Sequence, residues 1–530
     1  MPAETSPITR QSAQHVLWLG VAGAFLVYTG LVVLWLVTQP LFISGDESPN
    51  VDYAYQVTHG RIPVVESPLH VEFPELGQAG HRQYASNHPP AYHALVGPLV
   101  RAADASGHPR VFLLLARLLT AAIGGAVLLT LAAIAVTMLR SARERAIAVI
   151  ATISLAGSLA ATVGTSATIR NDALAILLTC ATLLVLTRAA RTGQRLVTVI
   201  LVAAICTMGM LTRISFAPVW LLAIGAVAAL ELWPLLQRRR PGLTDLGRSV
   251  RSALIVLLVP LLGAGWFYVL SWRRYGDFTG GSAVYPWVAD RTYLPGAKEG
   301  PLVFMVRPST WWAQVKQLGG GPATIADSTS VIYPVLGGAV VVVLVLGVVT
   351  AMFWGTPLRR LLDVHARWTV VGLAMVAAAA YVEMAWHVSQ KGVDTQRYLL
   401  NGIGLWAVGS ALVFIWAPRR LTPYLVTLMA ALLSVGSVSG AVDVLRRRAH
   451  AGTQLEGARI SLADGGWYQT LVRGAELAGF PAAHALVALL LVVVAVGLAL
   501  QLVALRQLCR TTTPVPSAEG TRPVRGTVGG

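Results

Sequence analysis

The sequence predicts an all-α polytopic membrane protein with roughly twelve transmembrane helices and a large first extracytoplasmic loop. Composition, the spacing of apolar runs and the placement of arginine each support this class. Of the 530 residues, 55% are hydrophobic and only 12% are charged. Because soluble proteins contain about 25% charged residues, this composition excludes an ordinary soluble domain. Most of the surface is therefore expected to face the lipid bilayer.

Long apolar runs mark the membrane spans, since a helix needs about 20 apolar residues to cross the hydrocarbon layer. The first run is too long for a signal-peptide core and no small-residue cleavage site follows it, so we expect it to be retained. Several other runs are short enough to be tilted, merged or re-entrant. The runs lie at 16–37, 113–138, 146–163, 173–186, 196–211, 214–233, 253–272, 331–353, 368–387, 399–416, 423–438 and 483–505.

Arginine in the short loops predicts the orientation of the chain. Every second loop is basic: "LRSARERA", "TRAARTGQR", "LLQRRRPG", "TPLRRLLD" and "APRRLT" follow the second, fourth, sixth, eighth and tenth runs. Such loops favour the cytoplasmic side of the membrane. Both termini are therefore predicted to be cytoplasmic, and the long loops 40–110 and 273–330 to be extracytoplasmic.

The same pattern divides the chain into four parts. We expect a cytoplasmic N-terminus at 1–15, a transmembrane module at 16–438, and an outer loop with the last transmembrane helix at 439–505. The remaining segment, 506–530, ends in a stretch rich in Pro, Thr and Gly, which is typical of a disordered cytoplasmic tail.

The charge and cysteine content narrow the class of partner. The net charge is +17, but the arginines that produce it lie largely in loops beside the membrane, so nucleic acid is not an expected partner. Lysine is rare, and this bias, with many Ala, Gly and Val residues, indicates a GC-rich bacterial genome and hence a bacterial plasma membrane. The three cysteines form neither a disulfide framework nor a metal-ligand spacing.

Four polar motifs converge on the predicted outer side, each at the end of an apolar run. Their residues are the types that carry acid–base and phosphate chemistry. The motifs are "GDE" with Asp46 and Glu47, "NHPPAYH" with His88 and Tyr92, "RND" with Asn171 and Asp172, and "QRYL" with Arg397 and Tyr398.

Each motif also has a simpler explanation. Asp46 is a preferred helix N-cap residue, and Asp172 can complement the positive end of a helix dipole. Arg397 with Tyr398 can anchor a helix at the membrane interface. The coincidence of acids, an amide and a guanidinium on one side of the membrane favours a functional site over these separate explanations.

These motifs resemble those of the GT-C superfamily of polyprenyl-phosphate-dependent glycosyltransferases. A large first outer loop that opens with an Asp-Glu pair and closes with a Pro-Pro-x-Tyr-like segment is similar to the protein O-mannosyltransferase and lipid A aminoarabinose transferase group. "NDALA" at 171–175 and "QRYL" at 396–399 are similar to motifs of a family of bacterial predicted membrane proteins. The resemblance covers roughly 40–400, and departs from the family at Asn401, where proline usually stands.

The resemblance implies a role for each candidate residue. Asp46 would be the catalytic carboxylate, and Glu47 a neighbouring structural or acceptor-orienting acid. The second acidic motif would be Asn171 with Asp172. The donor phosphate would be bound by Arg397 with help from Arg170, Arg213 or Arg82, and the substrate loops would contribute His88, Tyr92 and Tyr398.

The implied reaction moves a sugar from a polyprenyl-phosphate donor to a glycan, lipid or protein acceptor on the extracytoplasmic face, with inversion. Such a transfer needs a base for the acceptor hydroxyl and cations for the departing phosphate. A carboxylate and arginines suit these two roles. No cofactor follows from the residues themselves. A divalent cation, Mg²⁺ or Mn²⁺, stays open because some GT-C enzymes hold one on their two acidic motifs and others use none.

The main alternative is a transporter or flippase of a lipid-linked or envelope substrate. The number of helices and the ionisable residues at helix ends are compatible with it. Transport sites usually lie near the midplane of the membrane. Within the predicted spans the main ionisable candidates are Arg117 and Glu383, and both lie toward the end of a run.

Overall fold

The computed structural model describes residues 10–43, 46–78, 82–237, 243–284, 300–320, 331–356, 362–389, 396–450 and 466–510. Throughout these ranges the regular structure is helical, apart from two isolated β-bridges, Pro68 with Arg82 and Leu139 with Leu362. The predicted all-α class is confirmed. The predicted disordered tail, 506–530, is wrong for 506–510, which continue the last helix, Ala483–Arg510. The rest of the predicted tail, from 511 onward, lies outside the described residues.

The helices are numbered in chain order. They are α1 (Arg10–Thr38), α2 (Glu47–Thr58), α3 (Ala91–Ala105), α4 (Pro109–Met138), α5 (Ala142–Ser158), α6 (Ala160–Ser166), α7 (Asp172–Thr192), α8 (Leu196–Met210), α9 (Ala217–Gln237), α10 (Leu243–Tyr275), α11 (Pro301–Val306), α12 (Pro308–Leu318), α13 (Ile332–Trp354), α14 (Val364–Ser389), α15 (Ile403–Trp416), α16 (Thr422–His450), α17 (Trp467–Leu477) and α18 (Ala483–Arg510). Short 3₁₀ helices lie at Pro74–Leu76, Ala85–Asn87, Ile214–Phe216 and Gln396–Gly402.

Ten of the described helices are long and apolar enough to cross a membrane, so the chain is a multi-pass membrane protein. An eleventh span results if α5 and α6, which meet at an angle of 72°, cross together. The helix α8 has 15 residues and is shorter than a full span. Of the twelve predicted runs, ten coincide with these ten helices. The run 146–163 coincides with the bent pair of α5 and α6, and the run 196–211 coincides with the short helix α8.

The bend between α5 and α6 has a local cause. Leu159 adopts an extended conformation, with φ −68° and ψ 125°, and so interrupts the helical hydrogen bonds. The Ser437 hydroxyl donates a hydrogen bond of 2.7 Å to the freed carbonyl of Ser158. A helix can break inside a membrane when another helix supplies the lost hydrogen bond, as α16 does in this bundle.

The two termini of the described chain pack against each other in the core of the bundle. The helices α1 and α18 approach so closely that a Cβ atom added to Gly23 would lie 2.7 Å from the carbonyl oxygen of Gly497. Apolar side chains drive little association within lipid, so close backbone packing at small residues holds membrane helices together. Both helices of the pair also pack on α5.

The bundle has two chemically different ends. At one end, Arg191 pairs with Asp363 at 2.9 Å, and Arg143 donates to the carbonyl of Cys509 at 2.8 Å. We call this the basic end, defined by Arg140, Arg143 and Arg191. The opposite end carries the chain from 40 to 110 and is called the first-loop end. The predicted basic loops after the second and fourth runs thus share one end of the molecule.

The first loop is a folded cap. The helices α2 and α3 pack on each other, and α3 packs on α4. Their shared apolar core includes Val51, Phe73, Val96 and Leu113. Because Ile169 joins the same core, the cap is attached to the start of α7.

Replacing Gly320 by alanine is expected to destabilise the protein by about 2 kcal/mol or more, because overpacking adds to backbone strain. Gly320 has φ +84°, and an added Cβ atom would lie 1.9 Å from the carbonyl oxygen of Gly436 on α16. Thermal unfolding of the purified protein in detergent measures the effect. Gly107→Ala is the matched control, since Gly107 also has a positive φ, +67°, but no described atom within 4 Å. Equal losses in the two variants would contradict the clash.

Candidate functional site

The segment 169–172 connects three of the predicted motifs at the first-loop end. The backbone N–H of Ile169 donates to Glu47 Oε1 at 3.1 Å, and the Arg170 guanidinium lies 3.5 Å from Asp46 Oδ2. Asn171 Nδ2 donates to the carbonyl of Thr212 at 3.1 Å, and Asp172 pairs with Arg213. Four consecutive residues therefore join the "GDE" motif to the turn between α8 and α9.

The Asp46 carboxylate is partly exposed at this site and is oriented by neighbouring side chains. Asp46 occupies the N-cap position of α2, but its side chain makes no capping hydrogen bond. Instead, the Tyr84 hydroxyl donates to Oδ1 at 2.9 Å, and Arg170 lies beside Oδ2. The side chain is 31% exposed. The simple capping explanation therefore does not describe this carboxylate, which is oriented by side chains and open to solvent.

The neighbouring Glu47 is in the opposite environment. Its side chain is 1% exposed and forms a two-point ion pair with Arg117, at 2.8 Å and 2.6 Å. The backbone N–H groups of Phe42 and Ile169 also donate to its oxygens. A catalytic or acceptor-orienting role for Glu47 is not supported, because the carboxylate is buried and fully hydrogen-bonded. Of the two roles implied by the resemblance, the structural one remains.

Arg117 is a residue that the sequence motifs did not assign to the site. Besides Glu47, its guanidinium donates to the backbone carbonyls of Gln39 at 2.7 Å and Pro40 at 3.0 Å. It thereby ties the end of α1 to the start of α2. Its place on an apolar run was compatible with a transport role, but its observed contacts are structural.

A second group of charges surrounds Arg213. Arg213 pairs with Asp172, and its guanidinium carbon lies 5.4 Å from the centre of the Tyr398 ring, a cation–π contact. These residues line a small space, which we call the Arg213 cavity, with a volume of about 10 Å³. Its full lining is Asp172, Ala175, Ile176, Arg213, Ser215, Glu383, Tyr398 and Asn401. That volume holds about one water molecule.

The structure thus brings Tyr398 of the "QRYL" motif to the second acidic motif, although the two are far apart in sequence. The side chain of Arg397, the predicted phosphate ligand, lies outside the described residues. Asn401, which replaces the family's proline, lines the Arg213 cavity. The 3₁₀ helix Gln396–Gly402 shows how the backbone turns without a proline.

Three other predicted site residues, Arg82, His88 and Tyr92, differ in their exposure and in their contacts. Arg82 is exposed and takes part in the bridge with Pro68. The backbone carbonyl of His88 accepts a hydrogen bond from Tyr53 at 2.7 Å. Tyr92 is fully buried and does not support a substrate contact. Its hydroxyl is 2.7 Å from Thr120 Oγ1 and also hydrogen-bonds the backbone of Arg170, so it holds the 169–172 segment from the core side.

His93, which closes the "NHPPAYH" motif, is a neutral packing residue. Its ring stacks on Tyr53 with centres 3.9 Å apart, and Nε2 lies 2.9 Å from Asn50 Oδ1. Burial lowers the pKa of His93 to about 3. Because the imidazole stays uncharged at neutral pH, it cannot serve as a cation for phosphate.

Asp52 is the central polar residue of the cap, and the sequence motifs did not single it out. It is fully buried. Oδ1 accepts from the backbone N–H groups of His70 at 2.6 Å and Val71 at 3.3 Å. Oδ2 accepts from Gln56 at 2.7 Å and Gln83 at 2.8 Å. Its spacing to Gln56 is that of neighbours on a helix face, but the partners from 70, 71 and 83 depend on the tertiary fold.

Replacing Asp52 by alanine is expected to loosen the cap. Hydrogen bonds to a charged group contribute about 1.5–3 kcal/mol each, and the donors would remain buried without an acceptor. We therefore expect a loss of several degrees in thermal unfolding and faster proteolysis within 60–90. Asp104→Asn, at an exposed carboxylate of the same cap, is the control. Unchanged proteolysis in Asp52→Ala would contradict this role.

The described residues show no ready-made site for a divalent cation. They contain no cluster of three or more His, Cys, Asp or Glu side chains that could hold a metal ion. The acids of the two motifs, Asp46 and Asp172, are each paired with an arginine. Because Mg²⁺ and Mn²⁺ favour several carboxylate and other oxygen ligands, a cation would have to displace both arginines. We therefore assign no metal to these two acids.

An apolar groove lies beside the charged site. It has a volume of about 440 Å³ and a single charged lining residue, Arg61. We call it the Trp266 groove, and its lining is Val57, Gly60, Arg61, Ile62, Pro90, Ala91, Ala94, Leu211 and Trp266. The N–H of Ala91 donates to the carbonyl of Leu211 at 2.8 Å, so the cap and the end of α8 form its floor. Leu211 is two residues before Arg213, so the chain passes directly from the lining of the groove to the lining of the Arg213 cavity.

Comparison with models of known protein families finds no match for this sequence. Comparison with curated proteins finds no significant match either.

Proposed function

We propose that the protein is a membrane glycosyltransferase that moves a sugar from a polyprenyl-phosphate donor to an acceptor. One observation carries this proposal: at one end of the bundle the 169–172 segment joins a partly exposed carboxylate to two arginines, and the chain runs from one of these arginines into the lining of an apolar groove. The carboxylate is Asp46, and the arginines are Arg170 and Arg213. A soluble fold has no comparable way to bring a lipid-borne phosphate next to a base.

In this proposal Asp46 removes the proton from the acceptor hydroxyl as that oxygen attacks the sugar. The carboxylate is accessible and is oriented by Tyr84. Arg170 stays beside it and stabilises its ionised form. As the bond from sugar to phosphate breaks, the guanidinium groups of Arg170 and Arg213 stabilise the departing phosphate. The configuration at the anomeric carbon inverts, because the acceptor oxygen attacks from the face opposite the phosphate.

The Trp266 groove supports a lipid-linked donor. Its volume of about 440 Å³ lies in the range of small-molecule sites. Its apolar walls suit an isoprenoid chain, and its position two residues from Arg213 would bring the phosphate to that guanidinium. The acceptor would reach Asp46 from the solvent side of the cap.

We assign the reaction to the extracytoplasmic face of a bacterial plasma membrane, with both termini in the cytoplasm. The arginines of the basic end support this orientation, since short basic loops favour the cytoplasmic side. The first-loop end, which carries Asp46, would then face outward. The acceptor would be a glycan, a lipid or a protein of the cell envelope.

One observation favours the alternative of a transporter or flippase. Glu383 and Arg213 lie together inside the helical bundle, and buried ionisable groups often mark a transport path. Within the described residues, however, the cavity they line has room for about one water molecule, and the larger groove is at the first-loop end.

The two functions are distinguished by incubating the purified protein in lipid nanodiscs with radiolabelled polyprenyl-phosphate sugars and membrane acceptors. We expect label to leave the carrier, and to remain there when both Arg170 and Arg213 are replaced by glutamine. Arg101→Gln, at an exposed position on α3 outside the groove lining, is the control for loss of charge alone. Retention of every label on its carrier, with movement of the carrier across liposomes, would establish the transporter instead.

A further inference from the structure

Glu383 is a third carboxylate of the site that the sequence motifs did not include. It lies on α14, six residues before that helix ends at Ser389. It lines the Arg213 cavity together with Asp172 and Arg213. An ionised carboxylate within an apolar helix is costly unless a cation balances it. Either a cation or a proton must therefore balance the negative charge of Glu383.

The described side chains around the cavity carry more negative than positive charge. Arg213 is hydrogen-bonded to Asp172 and also interacts electrostatically with Glu383. Among the lining residues these are the two carboxylates and the one guanidinium. With both acids ionised, the cavity would have a net charge of −1 in a poorly hydrated space.

Among the described residues, the elements packed around Glu383 add no further lysine or arginine to the lining of the cavity. On α14, His387 lies one turn further on and packs against Tyr398 with ring centres 4.5 Å apart. From the neighbouring elements, α7 contributes Asp172, the turn before α9 contributes Arg213, and the 3₁₀ helix Gln396–Gly402 contributes Tyr398. The remaining described helices packed on α14, which are α4, α9, α11 and α15, add no charged side chain to the lining.

The cavity also contains neutral groups that can hydrogen-bond either form of a carboxyl. Ser215 and Asn401 carry such groups in the lining, and the Tyr398 ring packs beside Arg213. A protonated Glu383 would thus keep hydrogen-bonding partners within the lining. The surroundings accommodate both protonation states.

We propose that Glu383 takes up one proton when an anionic lipid phosphate binds beside Arg213. This inference rests on the proposed function, in which Arg213 receives the phosphate. An anion brought beside Arg213, at the edge of a cavity whose described side chains already carry excess negative charge, is repelled, and protonation of Glu383 removes that repulsion. The proton comes from the medium, converts the carboxylate to the carboxylic acid, and returns to the medium when the anion leaves.

Binding should therefore depend on pH in a defined direction. Protonation of Glu383 accompanies binding, so affinity is highest at pH values where Glu383 is already protonated in the free protein. It weakens as pH rises beyond that point, by up to about tenfold per pH unit for a single coupled proton. Glu383→Gln imitates the protonated form and should bind with little change over the same pH range, whereas Glu383→Asp should keep the dependence.

The test uses the full-length protein in detergent with undecaprenyl phosphate as the probe. Calorimetric titration in two buffers of different ionisation enthalpy counts the protons taken up at a pH where the affinity is falling. Because the phosphate of the probe also titrates near neutral pH, Glu383 is counted as a difference: we expect the wild type to take up about one proton more than Glu383→Gln. The control is Glu231→Gln, because Glu231 also lies on a spanning helix but contacts Gln194 and Ser252 instead. It should keep the wild-type proton count.

Infrared spectroscopy without any ligand separates this inference from the proposed function. A protonated carboxyl band that titrates in the wild type and disappears in Glu383→Gln would support a proton on Glu383. An identical carboxyl titration in the two proteins, or an undiminished proton count in Glu383→Gln, would overturn the inference. If undecaprenyl phosphate fails to bind the wild type while the Glu383 band titrates, the proposed donor class is what fails.

Discussion

Asp46→Asn is expected to abolish sugar transfer while the protein remains folded. The amide keeps the shape of the side chain and can still accept the hydrogen bond from Tyr84, which is 2.9 Å from Oδ1. It cannot remove a proton from the acceptor. Loss of a general base costs about 10²–10⁴-fold in rate. The Asp46 and Arg170 side chains are 31% and 17% exposed, so the replacement leaves no fully buried charge.

The measurement is initial transfer rate from a labelled polyprenyl-phosphate sugar, with thermal unfolding recorded on the same preparations. Asp104→Asn makes the same change at an exposed position on α3 and should retain the wild-type rate. Donor binding should persist in Asp46→Asn, since the donor contacts are assigned to Arg170 and Arg213. Full transfer activity in Asp46→Asn would remove Asp46 as the base.

Removing one partner of the Glu47–Arg117 pair is expected to cost about 3–5 kcal/mol of stability. The side chains are 1% and 0% exposed, so either single replacement leaves a charge buried in a poorly hydrated interior. Loss of Arg117 also leaves the carbonyls of Gln39 and Pro40 without its hydrogen bonds. We expect Arg117→Met and Glu47→Leu to accumulate poorly in membranes and to unfold at much lower temperature.

The double variant, Glu47→Leu with Arg117→Met, tests the cause of this loss. Replacing both members of a buried pair by apolar side chains leaves no isolated charge, so it should be less destabilised than either single variant. Arg170→Met is the comparison for an arginine whose ion pair with Asp46 is partly exposed, and its stability should change by no more than about 1 kcal/mol. Additive losses in the double variant would show that the pair is not energetically coupled.

The two adjacent acids show where sequence reasoning reaches its limit. Asp46 and Glu47 are next to each other after the first apolar run, and nothing in their spacing separates their roles. In the structure Asp46 points toward Tyr84 and Arg170, whereas Glu47 points into the core toward Arg117. Consecutive residues at a helix start face different directions, so burial separates them.

Sequence motifs did not place groups whose importance depends on distant partners. Asp52, which the motifs did not single out, accepts hydrogen bonds from residues near 70 and 83. Glu383 was noted only as an ionisable residue toward the end of an apolar run, and in the structure it shares Arg213 with Asp172. Neither belongs to a short motif. Tyr92 was in a motif, yet its burial makes it a core residue.

By itself, the sequence determined the class of the protein and the helices that build it. Apolar length and the cost of unpaired backbone groups in lipid leave a run of about 20 apolar residues little choice but a helix. Only the tertiary structure decided which polar residues meet, because the directions of side chains at helix ends depend on how the helices pack. The bend after Ser158 and the joining of Asp46, Asp172, Arg213 and Glu383 around the 169–172 segment and its neighbours are therefore products of packing.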